Sequence, residues 1–221
     1  MKTRFMLPAL MLVLGAQLSS QPAMAGAASP SSSAIEVEST TPEWAFSALL
    51  SGYSVPEDHD YLSPLFAADR GWLHLEGRYN YEALDSGSLW LGRNFSFGER
   101  WTLDCTPMVG FVFGESRGIA PGWRLALGRG AFEFTSEAEF MFDSRGSSES
   151  FFYAWSEMTW SFTESFWAGL ALQRTRVRES GLEIQRGFLV GVTVRGVDLT
   201  AYVFNWGWEE PTLVFSVGME F

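Results

Sequence analysis

Every second residue of the closing stretch TLVFSVGMEF is apolar: Leu213, Phe215, Val217, Met219 and Phe221. Between them stand Thr212, Val214, Ser216, Gly218 and Glu220, mostly small or polar. Successive side chains of a strand point to opposite faces, so one face of this segment is apolar and the other tolerates water. The pattern runs to the last residue. Chain ends ordinarily fray, so a neighbour is predicted to hold this one in place. The same period recurs upstream. In LHLEGRYNY, Leu73, Leu75, Tyr79 and Tyr81 alternate with His74, Glu76, Arg78 and Asn80. In FEFTSEAEFMF, Phe132, Phe134, Ala138, Phe140 and Phe142 alternate with Glu133, Thr135, Glu137, Glu139 and Met141.

From residue 43 onward no segment keeps a helical apolar period for three turns. Runs of about ten residues, rich in Trp, Phe, Tyr, Val and Leu, are separated by turn chemistry. Strands are predicted near 43–53, 61–68, 71–83, 87–97, 101–114, 119–128, 131–143, 151–162, 165–177, 183–195, 197–206 and 211–221. The connections alternate in kind. ADRG, FGER, GRG, FTES and RGVD are tight, whereas SVPEDHDY, ALDSGS, GESRGIAP, DSRGSSES, RESGLE and WGWEEP are generally longer and more polar. Pro56 and Pro64 weaken the first two strands, so ten strands with an N-terminal plug is the alternative to twelve.

A soluble barrel fills its interior with apolar side chains. Here a row of carboxylates opposes a row of phenylalanines, which suits a lipid-facing exterior and a wet lumen. Aromatic residues gather at strand ends: Phe95, Phe97 and Trp101; Trp160, Phe162, Phe166 and Trp167; Trp206 and Trp208. Those positions fit two interfacial girdles. On these features, residues 43–221 resemble bacterial outer-membrane β-barrel proteins, a broad class. The resemblance implies an all-β, transmembrane, antiparallel up-and-down barrel of about twelve strands with both termini on the periplasmic side. It also implies that the terminal strand carrying Phe215, Val217, Met219 and Phe221 is read by the outer-membrane assembly machinery. The last strand would pair with the first and leave no edge. No motif singles out a named channel or enzyme.

The opening stretch MKTRFMLPALMLVLGAQLSSQPAMA changes the picture of the compartment. It has a basic start, an apolar run too short to span a bilayer, and the small-residue site Ala23-Met24-Ala25. Residues 1–25 are read as a secretory signal peptide of the Gram-negative cell envelope. Residues 26–42, rich in Ser, Ala, Thr and Pro, are read as a flexible periplasmic leader, with a short lumen plug as the alternative. Residues 43–221 are the barrel. The formal charge of the whole chain is -11; the first 25 residues hold Lys2 and Arg4 and no carboxylate, so the remainder carries -13. That excludes nucleic acid as an expected partner. The single cysteine, Cys105, makes no internal disulfide.

Candidate chemistry is sparse. There is no glycine-rich phosphate loop. Two histidines, His59 and His74, with one cysteine do not make a closed zinc site of the usual spacing, so neither metal nor cofactor is predicted. If the strands at 71–83 and 87–97 form a hairpin, His74 lies near Asn94 and Ser96. A serine, a histidine and a polar orienter are the parts of lipase chemistry; the plainer reading is a lumen hydrogen-bond network. The inner wall is assigned Glu76, Arg78, Asp104, Arg124, Glu133, Glu137, Glu139 and Glu157. Gly92, Gly110, Gly128, Gly169, Gly187, Gly191 and Gly218 fall on the same face and are read as sharp curvature, open lumen or both. Two lumens fit: a narrow cation-tolerant pore, or one closed by Arg78 and Arg124 paired with Glu76, Glu133 and Glu137. Three functions follow: a small channel for ions or small solutes, a closed structural or surface-binding barrel, and a lipid-acting hydrolase or acyltransferase.

One hairpin breaks the pattern. With its centre at Ser180, RVRESGLEIQ sets Arg174 opposite Arg186 on the lipid face, with Arg176 nearby. Like charges directly opposed are unfavourable. A lipid-facing arginine costs about 2–4 kcal/mol at the bilayer midplane and about 0–1 kcal/mol near the interface. A lipopolysaccharide phosphate shared between the guanidinium forks would remove both penalties. A bulge turning one arginine inward, or snorkelling of both, would do so without a ligand.

Overall fold

The computed structural model describes residues 42–56, 59–146, 150–177, 181–207 and 210–221. The predicted signal peptide and all but the last residue of the predicted leader lie outside the described residues, as does Trp208. The described residues form strands and no helix: β1 (Ala45–Ser54), β2 (Tyr61–Arg70), β3 (Leu73–Tyr79), β4 (Ser86–Arg93), β5 (Phe95–Phe97), β6 (Thr102–Gly114), β7 (Gly118–Arg129), β8 (Phe132–Asp143), β9 (Phe151–Thr163), β10 (Phe166–Val177), β11 (Gly181–Val194), β12 (Val197–Phe204) and β13 (Thr212–Glu220).

Strands β4 and β5 are one wall strand interrupted at Asn94. Both pair with β6 in a single register, Gly92 opposite Met108 and Phe95 opposite Cys105. The wall is therefore a closed antiparallel barrel of twelve strands, each pairing with its neighbour in sequence. The ring closes where β1 meets β13, from Ser47 opposite Glu220 to Ser54 opposite Leu213. Beyond that ladder the Phe46 amide donates to the Phe221 carbonyl and the Phe221 amide to the Phe46 carbonyl, both at 2.9 Å. The Phe221 ring stacks 5.9 Å from Phe46 and sits 6.4 Å from Phe66. Two backbone bonds and two aromatic neighbours are what hold the final residue. Closure also removes the sheet edges, which hydrocarbon cannot hydrogen-bond.

Short turns gather at the end that carries the termini. Gly71–Trp72, Gly130–Ala131 and Arg195–Gly196 are two-residue connections. Positive φ at Gly71 (57°), Gly130 (59°), Arg195 (54°) and Gly196 (80°) supplies the primed geometry that matches strand twist. At the other end two predicted limits change. Strand β7 begins at Gly118, so the connection after β6 is shorter than GESRGIAP. Pro121 lies inside β7, and pairing with β8 skips from Ile119 to Gly122 because proline has no amide hydrogen to give. Strand β2 likewise runs through Pro64, opposite Leu50, so the first two strands belong to the wall and the ten-strand alternative falls.

The second change matters more. The predicted strand 71–83 stops at Tyr79, and Asn80 (φ 53°) and Asp85 (φ 55°) bracket a turn. The Asn80 side-chain oxygen accepts the Asp85 amide at 2.8 Å. This turn carries Tyr81 and Glu82 into the barrel, where both are fully buried. Alternation alone puts Tyr81 on the lipid face; the left-handed residue at Asn80 breaks that alternation.

The exterior is apolar and the interior polar. Leu62, Leu89, Phe111, Phe188 and Phe215 are exposed, whereas Ser51, Ser63, Gln173, Gln185 and Ser216 are buried. Three of the inner-face glycines leave no open space. Trp90 stands directly opposite Gly110, Trp167 opposite Gly191 and Phe204 opposite Gly187. A Cβ on Gly110 would lie 2.5 Å from the Trp90 ring, and Cβ atoms on Gly191 and Gly187 would meet Trp167 and Phe204. Each glycine is the seat of an aromatic ring that leans across it into the lumen.

Replacing Gly110 by Ala is expected to destabilise the barrel by about 1–3 kcal/mol, the usual cost of overpacking. Gly77→Ala, whose added carbon would meet Leu89 at an ordinary 3.6 Å, is expected to change stability by less than about 0.5 kcal/mol. Urea midpoints in detergent would measure both, with heat-modifiable gel migration reporting the folded barrel.

Candidate functional site

Inside the barrel, β3 presents His74, Glu76 and Arg78 on one face at two-residue steps. Arg78 is the centre of the lumen. Its guanidinium lies 3.7 Å from the Tyr81 ring centroid and 4.4 Å from that of Trp90, held between two π faces. Its nitrogens reach four carboxylates: Glu76 directly, Glu137 at 2.8 Å, Glu139 at 3.2 Å and Glu82 at 3.8 Å. A second guanidinium, Arg124 on β7, meets Glu76 at 2.9 Å and Glu137 at 3.8 Å. The Tyr81 hydroxyl donates to Glu137, and Ser88 donates to Glu82 at 2.6 Å. Trp90 Nε1 donates to Glu82 at 3.1 Å.

Carboxylates outnumber guanidiniums in this cluster. Glu76, Glu82, Glu137 and Glu139 face Arg78 and Arg124, a formal excess of two negative charges when all are ionised. Glu82 Oε2, Glu137 Oε2 and Glu139 Oε1 accept no hydrogen bond. Carboxylate oxygens buried in this way attract positive charge.

Toward the end away from the termini the lumen is filled by rings. Tyr53, Tyr153, Trp155, Tyr202 and Phe204 are all buried to within 2 % of complete burial. Trp155 meets Tyr202 and Phe204 edge-on at 5.7 and 5.1 Å. Glu157 lies among them, accepting from Trp155 Nε1 at 2.8 Å and from the Tyr202 hydroxyl at 3.0 Å. Toward the end that carries the termini the wall opens to solvent. Asp69, Asp104, Glu133, Asp198 and Glu220 are all partly or largely exposed there, with Arg124 on the border. The lumen is thus an acidic vestibule leading to an aromatic and ionic constriction.

The structure places each predicted site residue. Glu76, Arg78, Arg124, Glu137 and Glu139 share one cluster, and Glu157 holds a separate one with Trp155 and Tyr202. Asp104 and Glu133 line the vestibule, and Glu133 takes no part in the Arg78 cluster. His74 binds Asp69 through Nδ1 at 2.9 Å and Glu76 through Nε2 at 3.3 Å. Asn94 donates to the same Asp69 oxygen at 2.6 Å and accepts from Thr106 at 2.7 Å. Ser96 stands opposite Asp104 on β5. Carboxylates occupy both nitrogens of His74, so the histidine is not poised as a base for Ser96.

Alternation alone misplaces Tyr81; Glu82 and Trp90 share the inner parity of Arg78 and Gly92 but are assigned no role by it. The signal for Tyr81 is the Asn and Asp bracketing its turn, residue types that tolerate left-handed backbone.

The predicted opposition of Arg174 and Arg186 is corrected. Arg174 stands opposite Ile184 and Arg186 opposite Leu172, so the two arginines are diagonal neighbours. The period-2 pattern cannot tell registers two residues apart, because both leave every side chain on its own face. Both arginines accordingly still point outward.

A closed antiparallel barrel, apolar outside and charged inside, defines the class: this is the fold of bacterial outer-membrane β-barrel proteins. No protein-family model matches the chain, and no curated protein matches it significantly. Among solved structures it is similar to the KdgM porin, with a TM-score of 0.56, 11% identity, and coverage of 79% of this chain and 98% of that one. The KdgM porin in complex with disordered oligogalacturonate gives a TM-score of 0.54 at 9% identity, covering 80% of this chain and 98% of that one. OpdK from Pseudomonas aeruginosa gives a TM-score of 0.44 at 11% identity, covering 78% of this chain and 61% of that one. The likeness to KdgM is one of fold, and the fold points to the bacterial outer membrane.

Arg78→Ala is expected to lower stability by about 3–5 kcal/mol, because it leaves the surrounding carboxylates without their central countercharge. Adding Glu137→Gln and Glu139→Gln in the same chain is expected to recover a substantial part of that loss, since the three sites are coupled. Equilibrium unfolding of the single, double and triple variants would show the non-additivity.

Proposed function

We propose that the barrel is a narrow porin-like channel that favours small cationic or neutral solutes. One observation carries the reading: the lumen holds more carboxylates than guanidiniums, and three of its buried carboxylate oxygens accept no hydrogen bond. Carboxylates lining a confined, low-dielectric passage concentrate cations and repel anions. The similarity in fold to a porin whose chain is covered to 98% supports a channel over a closed barrel or a lipid-acting enzyme. One KdgM structure is recorded with oligogalacturonate, a chain of carboxylated sugars. The acidic lumen here would repel such a chain, so the fold is shared and the solute class differs. The constriction is the inward turn 80–85, which sets Tyr81 and Glu82 against Arg78.

The other parts of the reading rest on sequence. Residues 1–25 export the chain into the Gram-negative envelope, and residues 26–42 form a leader on the periplasmic side. The assembly machinery reads the last strand through Phe215, Val217, Met219 and Phe221. Phe221→Asp is then expected to cut assembly in cells far more than refolding in detergent; equal losses would limit Phe221 to packing.

Planar-bilayer recording under a salt gradient tests the channel. Wild type is expected to give unitary steps with cation preference. Glu137→Gln/Glu139→Gln is expected to lower that preference. Tyr81→Ala is expected to raise unitary conductance by widening the constriction. Silence from wild type and from Tyr81→Ala would favour a closed barrel. Ester turnover abolished by His74→Ala would favour the enzyme.

A further inference from the structure

Six charged side chains occupy outward positions on the described strands: Arg70, Arg93, Arg129, Arg174, Arg176 and Arg186. All six are arginines, and no carboxylate shares that face. They divide into two sets. Arg70, Arg93 and Arg129 end their strands beside the tight turns. Each lies over an aromatic ring: Arg70 over Trp44 at 5.7 Å, Arg93 over Phe95 at 5.2 Å, Arg129 over Trp101 at 5.2 Å. These three need no other partner. Arg174, Arg176 and Arg186 sit together on two adjacent strands toward the other end. Among the described residues they make neither an ion pair nor a ring contact.

We infer that Arg174, Arg176 and Arg186 form a binding site for a phosphorylated outer-leaflet lipid, of the lipopolysaccharide type. Arg174 and Arg176 are two residues apart on one face of β10. Arg186 on β11 is the diagonal neighbour of Arg174, at a typical side-chain spacing of about 7–8 Å. That spacing suits one or two phosphate groups gripped by several forks. The neighbours leave room for a headgroup: Ala154 stands beside Arg174 and Ser156 beside Leu172. The rim is anchored, since Asn205 exchanges two hydrogen bonds with the Arg186 backbone, at 2.8 and 3.3 Å.

Height selects the leaflet. Arg174 lies eight residues beyond Phe166, the girdle residue at the start of β10. At about 3.3 Å per residue and a tilt of about 40°, that is roughly 20 Å of an apolar band about 25 Å tall. The outward residues below it, Ala168, Leu170 and Leu172, are all apolar. The cluster therefore meets the headgroups of the leaflet away from the termini. The inference is independent of what crosses the lumen.

The test uses the folded chain in detergent micelles and four probes: lipopolysaccharide, its enzymatically dephosphorylated form, phosphatidylglycerol and inorganic phosphate. Thermal midpoint against probe concentration gives an apparent affinity, and native mass spectrometry counts bound lipid. Wild type is expected to bind lipopolysaccharide roughly tenfold or more tightly than does Arg174→Gln/Arg176→Gln/Arg186→Gln, the loss of a few charge-assisted bonds. Arg93→Gln/Arg129→Gln is expected to bind as wild type does. Dephosphorylated lipid, phosphatidylglycerol and inorganic phosphate are each expected to bind wild type more weakly than lipopolysaccharide. Undiminished affinity in the triple variant, or an equal loss in the control pair, would overturn the site. Equal binding of phosphatidylglycerol or inorganic phosphate would overturn the lipopolysaccharide assignment. If the glutamine variant does not fold, the matching lysine variant keeps the charge and loses the fork. It is expected to bind several-fold more weakly than wild type, and equal binding would overturn the forked contact.

Discussion

Hydrocarbon offers no hydrogen bonds, so every backbone amide and carbonyl of a lipid-spanning strand needs a partner in the protein. The rest of this structure depends on that constraint. It requires the sheet to close, which makes β1 and β13 neighbours and brings Phe221 against Phe46 and Phe66. It keeps the wall regular even where proline interrupts it, at Pro64 and Pro121. It also turns the hydrophobic pattern inside out, because the apolar face must meet lipid and the polar face is left for the lumen.

Inversion creates the central electrostatic problem. Charges that face the lumen of a narrow barrel are crowded and poorly hydrated. Arg78 meets this by touching four carboxylates and lying between two rings. Such a hub fixes the geometry of its neighbours more than it stabilises the fold, since desolvation offsets much of the attraction. The proposed cation preference rests on the formal excess of carboxylates around it. Glycine contributes by absence: Gly110, Gly187 and Gly191 let Trp90, Phe204 and Trp167 lie across the wall, so aromatic area fills the space that short side chains would leave. Constriction and charge are thus built from the same few cross-strand pairs.

The exterior shows the same logic on a smaller scale. Arginine is the one charged residue on the described outer face, and each arginine near the tight turns is covered by a girdle aromatic. The long apolar stem and delocalised head suit an interface where one end of the side chain is dry and the other wet. The cluster of Arg174, Arg176 and Arg186 lacks such rings among the described residues, and that difference is what the proposed lipid site rests on.

Much of the architecture was legible in the sequence. A period of two, read over each strand, is set by local backbone geometry and survives any arrangement of neighbours. It determined the strands, their inner and outer faces, and the inward placement of Glu137, Glu139 and Glu157. Three things were decided only in the folded barrel. Register was one: parity cannot distinguish steps of two residues, so whether Arg174 faces Arg186 or Ile184 depended on how β10 and β11 closed. The inward turn was another, because a left-handed Asn80 turns Tyr81 from the lipid-facing parity into the lumen, against Arg78. The last was the fate of Gly110, Gly187 and Gly191, which read as space along one strand and as aromatic seats once the opposite strand is in place. Local dihedrals are written residue by residue; contacts across the ring exist only after the ring has closed.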